Sequence, residues 1–216
     1  MQPPASWTKA RLTLAIVAVT AAAWLIVALL GLADWATLQG GFRARPGEGD
    51  SLVPFWLTPL TATLVHAGPI HLAFNLLILT FCGRHVEWVL GAWGIAILYL
   101  AGAYAAAAGQ YLADPQTAAP MVGASGAISA VLGAYAVLFG RNKVRVGNRR
   151  LALALNALWL LAAWVGLNLL VGVIARGGFI PGIGPALTIA VAAHIGGFIP
   201  GLILAIPLLK FRYRKA

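Results

Sequence analysis

Between Leu12 and Leu32 the chain carries no charged residue. That stretch restricts the fold more than any other feature of the sequence. A helix of about 20 apolar residues crosses the hydrocarbon core of a bilayer, and in lipid only helices and closed barrels keep every backbone N–H and C=O paired. Five more apolar runs follow, near 70–89, 93–112, 124–140, 151–174 and 185–209. A soluble domain carries about 25% charged residues; here the figure is 9% over 216 residues, with a mean hydropathy of +0.89. The expected fold is all-α, a polytopic membrane protein whose six transmembrane helices form one domain over 1–216. Lys9 and Arg11 precede the first run in the manner of a signal peptide. The run 12–32 is longer than the roughly 7–15 apolar residues of a signal core, so it reads as a retained helix.

The net charge of +10 raises nucleic-acid binding as a function. The basic residues sit instead in the short polar gaps between runs, where topology signals belong, so no nucleic-acid partner is expected. Lys9, Arg11, Arg84, Arg141, Lys143, Arg145, Arg149, Arg150, Lys210, Arg212, Arg214 and Lys215 fall on one side of a six-span layout. Arg43, Arg45 and Arg176 fall on the other. Cytoplasmic segments hold the excess of Lys and Arg. The expectation is a multi-pass protein of a bacterial plasma (inner) membrane with both termini in the cytoplasm.

The longest connection, 33–69, then lies outside. It opens polar with Arg43, Arg45, Glu48 and Asp50 and turns aromatic at Phe55 and Trp56. Such a segment suits either the interfacial layer or an ordered loop packed on the bundle. Cys82, the one cysteine, lies inside an apolar run and reads as a small buried hydrophobe.

Only four serines occur, and Ser125 lies in the turn Gly123-Ala124-Ser125-Gly126 that opens the fourth run. A hydroxyl at a helix start sits beside unpaired backbone N–H groups and the positive end of the helix dipole, a suitable place to hold an acyl-transfer oxyanion. Taken alone, the turn reads more readily as a cap or a packing position. His194, on the sixth run, shifts that balance. An ionisable side chain inside a membrane faces the bundle interior and marks function by default, and a neutral imidazole is a suitable base for a serine. The rival is a histidine merely bonded between helices. Gly197 and Gly201 share roughly the face of His194, which lets the sixth helix approach the fourth. No Asp or Glu lies near either residue in the sequence, so a dyad rather than a triad is the arrangement available.

His71 and Asn75 are four apart on the second run, share a helix face, and can both donate to a developing oxyanion. A metal held by His66 and His71 is the rival. No third histidine or carboxylate is close by in sequence, so no metal is expected. His66 is expected to order the loop ahead of the second helix by hydrogen bonding. Glu87 is expected to pair with an arginine or to cap backbone groups where the second run ends. Ser129, one turn after Ser125, reads as a packing or hydrogen-bonding residue, and His85 is expected in solvent.

Together these motifs resemble the rhomboid family of intramembrane serine proteases. The matching elements are His66-x-x-x-x-His71-x-x-x-Asn75, Gly123-Ala124-Ser125-Gly126, Ala193-His194-x-x-Gly197-x-x-x-Gly201 and Gly83-x-x-x-Glu87-x-x-x-Gly91. The resemblance covers most of the chain and implies the six-helix rhomboid core. It implies Ser125 as nucleophile and His194 as general base, with His71, Asn75 and the Ser125 backbone N–H as oxyanion hole. His66, Gly123, Gly126, Gly197 and Gly201 would support that site. Phe74 occupies the position of a bulky residue at the substrate gate, and Trp159 and Trp164 on the fifth run are both candidates for its other side. No cofactor is implied. The implied partners are the bilayer and membrane-protein substrates, cut near the outer membrane face at small or helix-breaking residues.

Two positions depart from the family's pattern. Many members carry Trp-Arg in the first outside loop, where this chain reads Trp56-Leu57-Thr58. Many also place an aromatic four residues after the nucleophile, stacked on the base histidine; here that position is Ser129. Two other functions compete, an inactive derlin-like relative that binds membrane proteins and a small transporter. Retention of both Ser125 and His194 counts against the first, and the lack of paired acidic residues at mid-membrane against the second.

Overall fold

The computed structural model describes residues 10–45, 52–140, 148–176 and 191–214. Lys9, Glu48, Asp50, Arg141, Lys143, Arg145, Lys215 and residues 185–190 of the last apolar run lie outside the described residues. In chain order the helices are α1 (Arg11–Leu29), α2 (Ala33–Gly40), α3 (Thr58–Thr61, between two 3-10 turns), α4 (Pro69–Ile78), α5 (Arg84–Ala113), α6 (Ser125–Phe139), α7 (Arg149–Arg176) and α8 (Val191–Arg212). Among the described residues the one β-pairing is an isolated bridge between Phe42 and Met121.

Among the described residues, four helical stretches are long and apolar enough to cross a membrane: Arg11–Leu29, Pro69–Ala113, Arg150–Leu167 and Val191–Arg212. The apolar helix α6 is shorter, at 15 residues. The stretch Pro69–Ala113 runs for 45 residues. Unbroken, it would reach about 68 Å, twice the thickness of a bilayer core. It passes through a π-turn at Leu79–Gly83 and breaks at Gly91, whose φ of 77° and ψ of 174° suit glycine. The short gap between the runs 70–89 and 93–112, Leu90-Gly91-Ala92, falls on this break.

A break frees helix carbonyls that then need donors. Arg212, on the last turn of α8, supplies them: its Nη1 donates to the Trp88 carbonyl at 2.9 Å and to the Glu87 carbonyl at 3.3 Å. The Glu87 carboxylate does cap backbone groups, but on another helix. It accepts the N–H of Leu12 at 3.0 Å and of Thr13 at 2.8 Å, at the start of α1. A carboxylate is well matched to orphan N–H groups and to the positive end of the helix dipole. Three chain segments far apart in sequence are thus tied at one end of the bundle.

His85 corrects a sequence expectation, because it is buried rather than solvated. Its ring lies among those of Phe81, Tyr135 and Phe139, with centroids 5.2 to 5.8 Å away, and its Nδ1 bonds the Phe81 carbonyl. The facing aromatics of α6 close over a histidine that would otherwise reach water. Cys82 is buried in the apolar core.

Helix α6 is the centre of the molecule, buried without a gap from Ser125 to Ala134. A helix apolar on every side belongs inside a bundle. Small residues set how closely its neighbours approach. A methyl group added at Gly102 of α5 would lie 2.8 Å from the Ala127 carbonyl, and one at Gly133 of α6 would lie 2.5 Å from the Phe198 carbonyl. At Gly197 and Gly201 of α8 it would collide with the carbonyls of Gly126 and Ala130. Backbone therefore meets backbone on two sides of α6. Its first residue is positioned by main chain rather than by flexible side chains.

The segment after α1 packs against the end of the bundle where α6 begins. Phe42 exchanges two backbone hydrogen bonds with Met121, at 3.0 and 2.7 Å, and its ring lies tilted against that of Phe55, with centroids 5.6 Å apart. Tyr104 of α5 donates to the Trp56 carbonyl at 2.9 Å. The buried Arg43 donates to the Leu38 carbonyl at 3.0 Å. Leu52, Phe55 and Trp56 stay exposed on the rim, as suits residues at a membrane interface.

Candidate active site

The turn before α6 is shaped by Gly123, whose φ of +113° belongs to glycine. Its N–H donates to the Ala62 carbonyl at 2.9 Å, which pins the turn to the loop. A side chain at this position would also strike His71, at 2.6 Å from Cε1 and 2.8 Å from Nε2. The missing side chain brings the imidazole edge against the turn. Ala124 follows as the residue flanking the helix, and its N–H donates to Nε2 of His66 at 3.4 Å. Ser125 then opens α6, within the first turn, where backbone N–H groups lack partners inside the helix.

Helix α8 supplies the facing group. His194 lies in the first turn of the described helix and is buried, and its Nε2 stands 2.9 Å from the Ser125 Oγ in a hydrogen bond. The contact of Gly197 with Gly126 one turn further on is what makes this approach possible. A nucleophile and base within hydrogen-bond reach, shielded from bulk water, can transfer a proton as the hydroxyl attacks.

Three further side chains come from the loop before α4 and from α4 itself, two of them against the turn that carries Ser125. His66 and His71 lie with ring centroids 5.1 Å apart. Burial, with His71 beside it, pushes the pKa of His66 down to about 3, so it is neutral and accepts from Ala124. Asn75 is buried; one N–H of its amide donates to the His71 carbonyl at 2.9 Å. An amide nitrogen carries two protons, so a second donor remains for a ligand. Phe74 is half-buried beside it. Among the described residues no three His, Cys, Asp or Glu side chains gather as a metal site.

The two tryptophans of α7 separate clearly. Trp159 is 68% exposed, whereas Trp164 is buried at 4%. The Trp164 ring stands edge-on to His194, with centroids 5.8 Å apart and planes at 88°. Its Nε1 donates to the Ser129 Oγ at 2.9 Å, and Ser129 donates to the Ser125 carbonyl at 2.7 Å. Each of these residues is visible singly in the sequence, but their connection is not. The available signal was the small Ser129 opposite a run containing large aromatics.

Comparison with known proteins agrees with the motifs. The rhomboid domain family matches residues 55–211. The rhomboid protease GluP of Bacillus subtilis (strain 168) is 34% identical over 154 residues, which cover 71% of this chain and 26% of GluP. The matched region is thus about a quarter of GluP's length. YdcA of the same strain, named for the same family, is 27% identical over 158 residues, covering 71% of this chain and 76% of YdcA. With a family match that runs from the loop before α4 almost to the end of α8, this membrane protein belongs to the rhomboid family.

Proposed function

We propose that the chain is an intramembrane serine endopeptidase that cleaves transmembrane substrates near the outer membrane face through a Ser125–His194 dyad. The observation that carries this reading is the buried 2.9 Å hydrogen bond between the Ser125 Oγ and the His194 Nε2. Family membership supports the reaction class.

Ser125 Oγ attacks the scissile carbonyl as His194 Nε2 takes its proton, giving a tetrahedral oxyanion and an imidazolium. The backbone N–H of Ser125, the imidazole of His71 and the second amide proton of Asn75 donate to that oxyanion. When it collapses, the leaving amine takes the proton from His194 and an acyl-enzyme remains on Ser125. Water gives a proton to His194 and its hydroxide to the acyl carbon, and collapse releases the carboxyl product and restores Ser125. A helical substrate presents carbonyls already bonded within the helix, so it unwinds before attack; small or helix-breaking residues near the cut ease this step.

The chain crosses the membrane six times as a single rhomboid domain, with the break at Gly91 separating the second crossing from the third and α6 forming the fourth. The excess of basic residues puts both termini in the cytoplasm, and hence Ser125 toward the outer side of a bacterial plasma membrane. Phe74 stands at the substrate gate.

The test is cleavage of a model transmembrane substrate by purified protein in liposomes. Ser125→Ala and His194→Ala are expected to lose activity by at least about 100-fold. Cleavage at the wild-type rate by either variant would sink the dyad.

A further inference from the structure

We propose that Trp164 is the positioning residue for the His194 imidazole and that Ser129 is its anchor. This rests on the dyad reading above and adds residues that the dyad alone does not require.

The hydrogen bond to Ser125 sets the distance of the base. Contact on the ring itself controls where Nε2 points. The indole of Trp164 supplies it, since its ring meets the imidazole at 5.8 Å and 88°. That is the edge-to-face arrangement aromatic rings favour. The indole is itself held. Its Nε1–H can only donate, and it donates to Ser129 Oγ at 2.9 Å. Ser129 is wholly buried and spends its own proton on the Ser125 carbonyl at 2.7 Å, so its oxygen must face the indole. The contacts close a ring through three helices: Ser125, Ser129, Trp164, His194 and back to Ser125. The position four residues after the nucleophile thus contributes a hydroxyl, and the aromatic arrives from α7.

Two other roles for Trp164 predict different results. A gate residue controls substrate entry and changes KM or raises the rate when trimmed. A packing residue tolerates any side chain of similar bulk. Both are separated from positioning by a small fluorophosphonate probe, which needs the dyad but no gate, measured beside substrate cleavage from about pH 5.5 to 9.

The variants are Trp164→Leu, Trp164→Phe and Ser129→Ala. Trp164→Leu is expected to lower both the labelling rate of Ser125 and kcat by about tenfold, or about 1.4 kcal/mol at the transition state, with KM little changed. The acid limb of its pH profile should move. Trp164→Phe, which keeps a ring but not the indole N–H, should restore most of the rate. Ser129→Ala should fall between Phe and Leu, and adding it to Trp164→Leu should cost nothing more. Wild-type labelling by Trp164→Leu, a faster rate, or a change confined to KM would overturn the proposal. Should Trp164→Leu fail to fold, Ser129→Ala carries the test, and a wild-type rate and pH profile there overturns it. Failure of the wild type to label at Ser125, or labelling that survives His194→Ala, would overturn the dyad and this proposal together. Wild-type labelling that is lost in His194→Ala and unchanged in Trp164→Leu would overturn this proposal alone.

Discussion

The two ends of the bundle leave the same kinds of backbone group unpaired and deal with them in opposite ways. His194 and Arg212 lie near opposite ends of α8, separated by about 27 Å of helix axis. At the Arg212 end, formal charges close the gaps: the Glu87 carboxylate takes the first N–H groups of α1, and the Arg212 guanidinium takes the carbonyls before Gly91. At the His194 end, the start of α6 is met by neutral groups, the imidazole of His66 on Ala124 and the hydroxyl bonded to His194. Permanent charge makes a finished joint. Neutral partners leave room for a charge that exists only briefly, as an oxyanion does.

That contrast can be broken by mutation, and the largest effect should be catalytic. Asn75→Ala is expected to lower kcat by about 100- to 1,000-fold while the thermal midpoint barely moves. An unchanged kcat would mean that no transient charge is served there. Next comes the opposite end: Glu87→Gln should cost about 2–3 kcal/mol of stability in denaturant titrations, with kcat of the folded protein unchanged. A drop in kcat without a drop in stability would erase the distinction between the ends.

His66 sharpens the comparison through pH. Its folded pKa of about 3 lies below its ordinary value of 6.5, so the unfolded chain takes up the proton first as the solution is acidified. Stability from this group is complete above about pH 6.5 and drains away toward about pH 3, with about 2 kcal/mol lost between pH 7 and 5. His66→Gln should flatten that part of the stability profile. Arg212→Ala should have the smallest effect, about 1 kcal/mol, because this end of α8 is exposed and water can replace the lost donor. A loss larger than that of Glu87→Gln would reverse the order proposed for the two charges.

Much of this was legible because it depends on local pattern. The apolar runs, the break near Gly91 and the turn at Ser125 are all written in contiguous residues; the long described helices overlap those runs, while α2 and α3 lie in the connection 33–69. The family resemblance followed from motifs of the same kind, and the match over residues 55–211 agrees with it. What escaped depends on which helices face each other. His85 looks solvated beside Arg84 and Glu87, yet Tyr135 and Phe139 of α6 enclose it. Glu87 has a capping role that periodicity suggests, but its partners lie about 75 residues earlier. Trp159 and Trp164 are indistinguishable in a run without charges, and only packing turns one toward His194.

The shortness of α6 has a consequence for the lipid. Fifteen residues make about 22 Å of helix against a hydrocarbon core of about 30 Å. Placing Phe139 at one boundary of that core would leave Ser125 about 8 Å short of the other. Hydrophobic mismatch then becomes a property of the reaction rather than of the fold alone. On the proposed mechanism, a thicker bilayer would set Ser125 deeper and lengthen the path of the water that reaches the acyl carbon, so turnover should depend on acyl-chain length.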